Sequence, residues 1–142
     1  MKKMRILTLI VSLGLIFVLF TGVRAQLIPF TEAIPQEIVV AQAMICGDVV
    51  NRMPVDSKSV FPAGTRQVFC FTRIDGAEEE TEIIHNWYYN GNLMGSVVLP
   101  VRTNYWRTWS SKSLRPEWTG EWMVEVLSED GTALESIAFS IR

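Results

Sequence analysis

From Thr81 to Leu99 the chain reads TEIIHNWYYNGNLMGSVVL. Thr81 to Tyr89 is dense in β-branched and aromatic side chains, and Leu93 to Leu99 resumes the apolar run after Asn90-Gly91-Asn92. An Asn-Gly step tolerates the positive φ that a tight antiparallel turn needs, so the stretch predicts a β-hairpin. Side chains alternate along a strand, which puts Ile83, His85, Trp87 and Tyr89 on one face. That face is the expected core side, with Trp87 as its central residue.

The same reading extends in both directions. Downstream of Pro100, Val101 to Ser111 is a strand rich in aromatics, and Lys112 to Thr119 is a loop because it contains Pro116. Gly120 to Leu127 and Thr132 to Ile141 are the last two strands, joined through Ser128-Glu129-Asp130-Gly131. Trp122, Val124 and Val126 are expected to pack against Trp87. Upstream, Arg66 to Arg73 alternates between Val68, Cys70 and Thr72 on one face and Phe69 and Phe71 on the other, and the polar stretch from Asp75 to Glu82 follows. Gly47 to Gly64 is broken by Pro54, Pro62 and Gly64 and is read as a connection anchored by Val55, Val60 and Phe61. Ile38 to Cys46, with four β-branched residues, is the first strand. Seven short strands separated by turn signals, with no sustained helical period, predict an all-β, immunoglobulin-like antiparallel sandwich. A small β-barrel is the alternative.

The first 25 residues differ in kind. Lys2, Lys3 and Arg5 open them, Ile6 to Phe20 is apolar, and Val23 and Ala25 are the small residues of a cleavage site. The organisation is thus a signal peptide over 1–25, a linker over 26–37 and one β-sandwich domain over 38–142. The alternative is an uncleaved anchor in the inner membrane, since Ile6 to Val23 is just long enough to span the hydrocarbon. Without those residues the chain has 13 − 4 = 9 basic and 15 acidic side chains, a net charge of −6. An acidic domain is a poor ligand for phosphate backbones, so no nucleic-acid partner is expected. The expected location is extracytoplasmic, in a periplasm or beyond.

Cys46 and Cys70 are the two cysteines, and in an oxidising compartment an even pair reads as a disulfide. Two buried free thiols are the structural alternative, and a redox or metal pair is the reactive one. For catalysis the chain offers little. His85 is its one histidine and shares the core-facing parity of Trp87, which suits a structural residue. Ser110 and Ser111 lie in no nucleophile-elbow motif. No ligand spacing points to a metal, and Glu78, Glu79, Glu80 and Glu82 read as a solvated acidic run rather than a calcium site. No enzyme, catalytic residue, metal or cofactor is therefore expected.

The run Trp106-Arg107-Thr108-Trp109-Ser110-Ser111-Lys112, then Pro116-Glu117-Trp118-Thr119-Gly120-Glu121-Trp122 and Glu129-Asp130-Gly131, resembles the bacterial family called domain of unknown function 2914. Cys46, Pro54-Val55, Phe69-Cys70-Phe71-Thr72 and His85-Asn86-Trp87-Tyr88-Tyr89 extend that resemblance upstream, so that it covers Val39 to Ile141. It implies an exported β-rich module, found alone or joined to other envelope domains, with no established activity.

Aromatics beyond the needs of a small core remain. Trp106 and Trp109 have opposite parity, so one of them leaves the core unless a bulge intervenes. Arg107 between them can stack on an indole and still present a donor fork. Tyr88, Trp106, Arg107 and Trp109 are therefore the expected binding residues. The expected function is non-catalytic recruitment of an envelope protein, and the alternative is binding of a cell-wall polysaccharide on the aromatics. If the signal is cleaved as its pattern predicts, the intact mass of exported protein corresponds to a chain beginning at Gln26. A membrane-bound product retaining Met1 to Ala25 would show an anchor instead.

Overall fold

The computed structural model describes residues 37–142, so the expected signal peptide and almost all of the 26–37 linker lie outside the described residues. Nine strands follow: β1 (Val39–Val50), β2 (Met53–Ser57), β3 (Val60–Phe61), β4 (Gln67–Asp75), β5 (Thr81–Tyr89), β6 (Asn92–Val101), β7 (Tyr105–Ser113), β8 (Gly120–Ser128) and β9 (Ala133–Ile141). They form two sheets, of order β2-β1-β4-β7 and β3-β9-β8-β5-β6. The chain crosses between sheets after β2, β3, β4, β6 and β7, and the two sheets stay separate, which makes a sandwich and not a closed barrel. All pairs are antiparallel except the short β3–β9 pair.

The seven expected strands are β1 and β4 to β9, and two more arise inside Gly47 to Gly64. Asn51 and Arg52 both take positive φ, 51° and 60°, which closes a two-residue hairpin between β1 and β2. Pro54 is tolerated because β2 is an edge strand and owes the ladder no N–H there. Asn-Arg is a weaker turn signal than Asn-Gly, and this is why the hairpin escapes a reading by pattern.

The interior holds two apolar clusters. One contains Ile45, Phe61, Val68, Cys70, Trp87, Trp122, Val124 and Phe139, and the other Ile74, Ala77, Ile83, Val101 and Val126. Trp87 lies opposite Val124, and Tyr89 opposite Trp122, as the expected parity of β5 requires. Trp87 and Trp122 both meet the ring of Phe139, at 6.2 Å and 6.0 Å between centroids.

The expected Cys46–Cys70 bridge is absent, and both thiols are free and buried. The register explains this: Cys70 pairs with Ile45, and Cys46 pairs with Phe69. The pleat then sends Cys70 into the core and Cys46 to the outer face of the sheet, so that their Cβ vectors diverge. Cys46 instead directs its thiol to the Phe69 carbonyl at 3.8 Å, and burial pushes both thiols up from their ordinary value.

The β1–β2 ribbon does more than extend a sheet. Arg52 at its tip donates to the Arg107 carbonyl on β7 at 2.9 Å. Because β4 separates β1 from β7, the ribbon must cross β4, and only the face turned away from the second sheet is free. Phe71 belongs to that face and to neither interior cluster, yet is 1% exposed, as a ring beneath such a ribbon would be. Truncating Trp87 or Trp122 to Ala is expected to lower stability by about 3–5 kcal/mol in urea unfolding, the usual effect of deleting a large core aromatic. A variant as stable as the parent would remove that ring from the core.

Candidate functional site

The two apolar clusters are divided by a layer of polar residues. His85 on β5 is fully buried, with Nδ1 2.8 Å from Ser110 Oγ on β7 and Nε2 3.4 Å from Thr72 Oγ1 on β4. Trp87 Nε1 donates to Ser110 Oγ at 3.1 Å, and Thr72 Oγ1 donates to the Thr108 carbonyl at 3.1 Å. These two fixed directions settle the tautomer. The Thr72 proton is spent on Thr108, so Thr72 accepts from Nε2–H, and Nδ1 is left to accept the Ser110 proton. Every bond then runs one way, from Trp87 through Ser110, His85 and Thr72 to Thr108. A second ring proton would turn Nδ1 into a donor and break that sequence. Burial already disfavours the cation, and the imidazole is pushed down to about 4.

The packing of one sheet on the other thus brings together a histidine and a serine that sequence reading left unconnected. Ser110 is buried with His85 between the sheets, and its hydroxyl is shared between the His85 ring and the Trp87 indole.

The surface side chains gather elsewhere. Arg107 and Arg73 stand directly opposite one another on β7 and β4, on the outer face of the four-stranded sheet. Both guanidinium groups lie over the Tyr105 ring, at 5.4 Å and 5.2 Å, and Arg107 Nη2 donates to the Tyr105 hydroxyl at 2.9 Å. Arg52, brought in by the ribbon, lies over the Trp106 ring at 5.1 Å while it holds the Arg107 carbonyl. Arg73 is paired with Asp75 at 3.2 Å, and its Nε is buried without a partner. Arg52 and Arg107 enter none of the ion pairs among the described residues. Tyr105, 48% exposed, is the aromatic that faces solvent most openly here.

This rim unites two of the four expected binding residues, Trp106 and Arg107, and adds Arg52, Arg73 and Tyr105. Trp106 takes the core-facing parity and packs against the second apolar cluster. Trp109 pairs with Phe71 on the outer face and is partly buried there. Tyr88 is not part of the rim. It lies opposite Met123 on the outer face of the other sheet, where its hydroxyl donates to Glu125 at 3.2 Å. Arg73 was detectable only through its register with Arg107, and Arg52 only through the fold of the ribbon.

A second feature is an open cleft of about 720 Å³ lined by Glu37, Glu78, Glu79, Glu80, Glu129 and Asp130. The Ser128 hydroxyl, followed by the Thr132 amide, holds the Asp130 carboxyl below its ordinary range. No three His, Cys, Asp or Glu side chains converge as metal ligands among the described residues.

Residues 80–141 match the family described as "Protein of unknown function (DUF2914)", which bears out the resemblance over that segment. No curated protein matches the chain.

The buried imidazole gives stability a pH dependence of definite sign. Unfolded His85 takes up its proton near 6.5 and folded His85 only near 4, so the unfolded state binds more protons between these values. Stability is complete above about pH 6.5 and falls as the pH drops toward 4, by about 3 kcal/mol in all. Urea unfolding of the parent and of His85→Gln at pH 7 and pH 4.5 should show a smaller loss in the variant. Parallel losses would mean that the ring titrates normally.

Proposed function

With residues 80–141 belonging to a family of unknown function, we propose from the site itself that this protein is a non-catalytic interaction module of the bacterial cell envelope. Its contact surface is the rim formed by Arg52, Arg73, Tyr105, Trp106 and Arg107. The export pattern of Met1 to Ala25 supports the compartment. The observation that carries the reading is that Arg52 and Arg107, two cations without a carboxylate partner among the described residues, are held in place by aromatic rings. Directly opposed like charges such as Arg73 and Arg107 destabilise a sheet, and a binding partner that supplies negative charge offsets that cost.

The rim favours ionic recognition over sugar stacking. Guanidinium groups already cover faces of Trp106, Tyr105 and, through Arg115, Trp118. A neutral sugar would have to displace them before it could lie on a ring. Each guanidinium still has donors to offer a carboxylate or another anion.

Capture from envelope extract on immobilised protein tests the surface. Arg107→Gln and Arg52→Gln should keep the parental melting temperature and lose about 2 kcal/mol or more of affinity for whatever the parent retains, and raised salt should weaken the parent's capture. Unchanged capture by both folded variants would exclude the rim.

A further inference from the structure

Four strands form the edges of the two sheets, and three of them are blunted. β2 carries Pro54 and a left-handed Asp56 with φ of 60°, β3 is two residues long, and β6 carries Pro100 and a register shift opposite Trp87 and Tyr88. Prolines, bulges and short length are the ordinary means by which proteins keep sheet edges from pairing with other chains. β7 has none of them. It runs nine residues in unbroken register with β4 and contains no proline.

The ladder identifies the backbone groups that β7 leaves open. The Leu114 amide, just past the strand, donates to the Arg66 carbonyl at 2.8 Å. Paired groups recur at every second residue of an antiparallel ladder, so the even-numbered residues of β7 turn toward β4. Tyr105, Arg107, Trp109 and Ser111 therefore turn their N–H and C=O groups to the free edge. Two of those carbonyls already hold side-chain donors: Thr103 Oγ1 lies 2.9 Å from the Tyr105 oxygen, and Arg52 Nη2 lies 2.9 Å from that of Arg107. Near the far end Lys112 Nζ donates to the Met94 carbonyl of β6 at 2.8 Å, and of the edge-facing residues Tyr105 and Ser111 are exposed and Arg107 and Trp109 partly so.

We infer that β7 is an edge for strand addition, and that the added strand is an extended acidic peptide segment of a partner protein. The inference rests on the contact surface proposed above and specifies its ligand. Arg107 carries both an edge-facing backbone and a cationic side chain on the outer face. A strand laid along β7 therefore sets alternate side chains beside Arg107 and within reach of Arg73 and Arg52, and carboxylates at those positions complete the ion pairs that Arg52 and Arg107 lack. The same charges reject a second copy of this chain, since pairing β7 with β7 would oppose one arginine cluster to another. On binding, a peptide N–H takes over the Arg107 carbonyl, and the guanidinium of Arg52 is released toward a carboxylate. Backbone pairing supplies affinity and the arginines supply selectivity.

The probe is a blocked hexapeptide in which glutamate alternates with threonine and valine, titrated against the folded protein by fluorescence anisotropy. Its companions are the same peptide N-methylated at alternate residues, so that it cannot donate to β7, and polygalacturonate as an acidic glycan. The hexapeptide is expected to bind, to weaken about tenfold or more on Arg107→Gln, and to slow amide exchange at Arg107 and Trp109, whereas the N-methylated form fails to bind. No binding of the hexapeptide, equal binding of the N-methylated peptide, or unchanged exchange on β7 overturns strand addition. Arg107-dependent binding of polygalacturonate with none of the peptide overturns the peptide ligand and leaves the contact surface standing. If hexapeptide binding and envelope capture are both indifferent to Arg107→Gln, the surface and the strand-addition edge fall together.

Discussion

The sandwich is organised around a chain of hydrogen bonds that can run in one direction only. Trp87 has a donor and nothing else, Thr72 gives its proton to a backbone carbonyl, and the groups between them are thereby fixed in role. His85 must be neutral and protonated on Nε2, and Ser110 must point its proton at Nδ1. The chain starts on β5 and ends at the backbone of β7 by way of β4, so both sheets are tied at one depth. Apolar packing alone would tolerate small slides of one sheet on the other. A buried network in which each group has a single acceptable partner tolerates very little, since a broken member leaves a polar group unsatisfied in a medium without water.

Fixing β7 against β5 has a consequence on the outside of the molecule. The even-numbered residues Thr108 and Ser110 are committed to the interior network, so Tyr105, Arg107 and Trp109 are committed to the outer face. The position of the arginine rim is thus the other side of the same alternation. The β1–β2 ribbon then adds a residue from far away in sequence, since Arg52 and Arg107 stand 55 positions apart and meet through one hydrogen bond. The nine-residue edge is stiffened from beneath by a buried polar layer, and such rigidity would limit the entropy lost on pairing with the proposed partner.

Several features could be read without the structure. Hydrophobic alternation around Trp87 and the Asn90-Gly91 turn are local properties, and they gave the β5–β6 hairpin and the core face of β5. The opposite parity of Trp106 and Trp109 is equally local, and the two residues do face different sides of β7. The β2 and β3 strands were not legible, because an Asn-Arg turn and an edge proline look like loop chemistry until the neighbouring strand is known. The bridge between Cys46 and Cys70 failed for the same reason. An even number of cysteines and an export pattern suggest a pair, and only a register of Ile45 with Cys70 shows that the two side chains leave the sheet on opposite faces.

By itself the sequence determined the class of the fold, the existence of most strands, and the side of each strand on which a residue stands, because these follow from a period of two along a single chain. The tertiary structure decided which strands are neighbours and in what register. That choice, with the packing of one sheet on the other, placed Ser110 against His85, Arg73 against Arg107 and Arg52 over Trp106, and moved Tyr88 to the far sheet. Contacts between residues tens of positions apart depend on the packing of whole sheets, and a pattern confined to one strand carries no information about its partner.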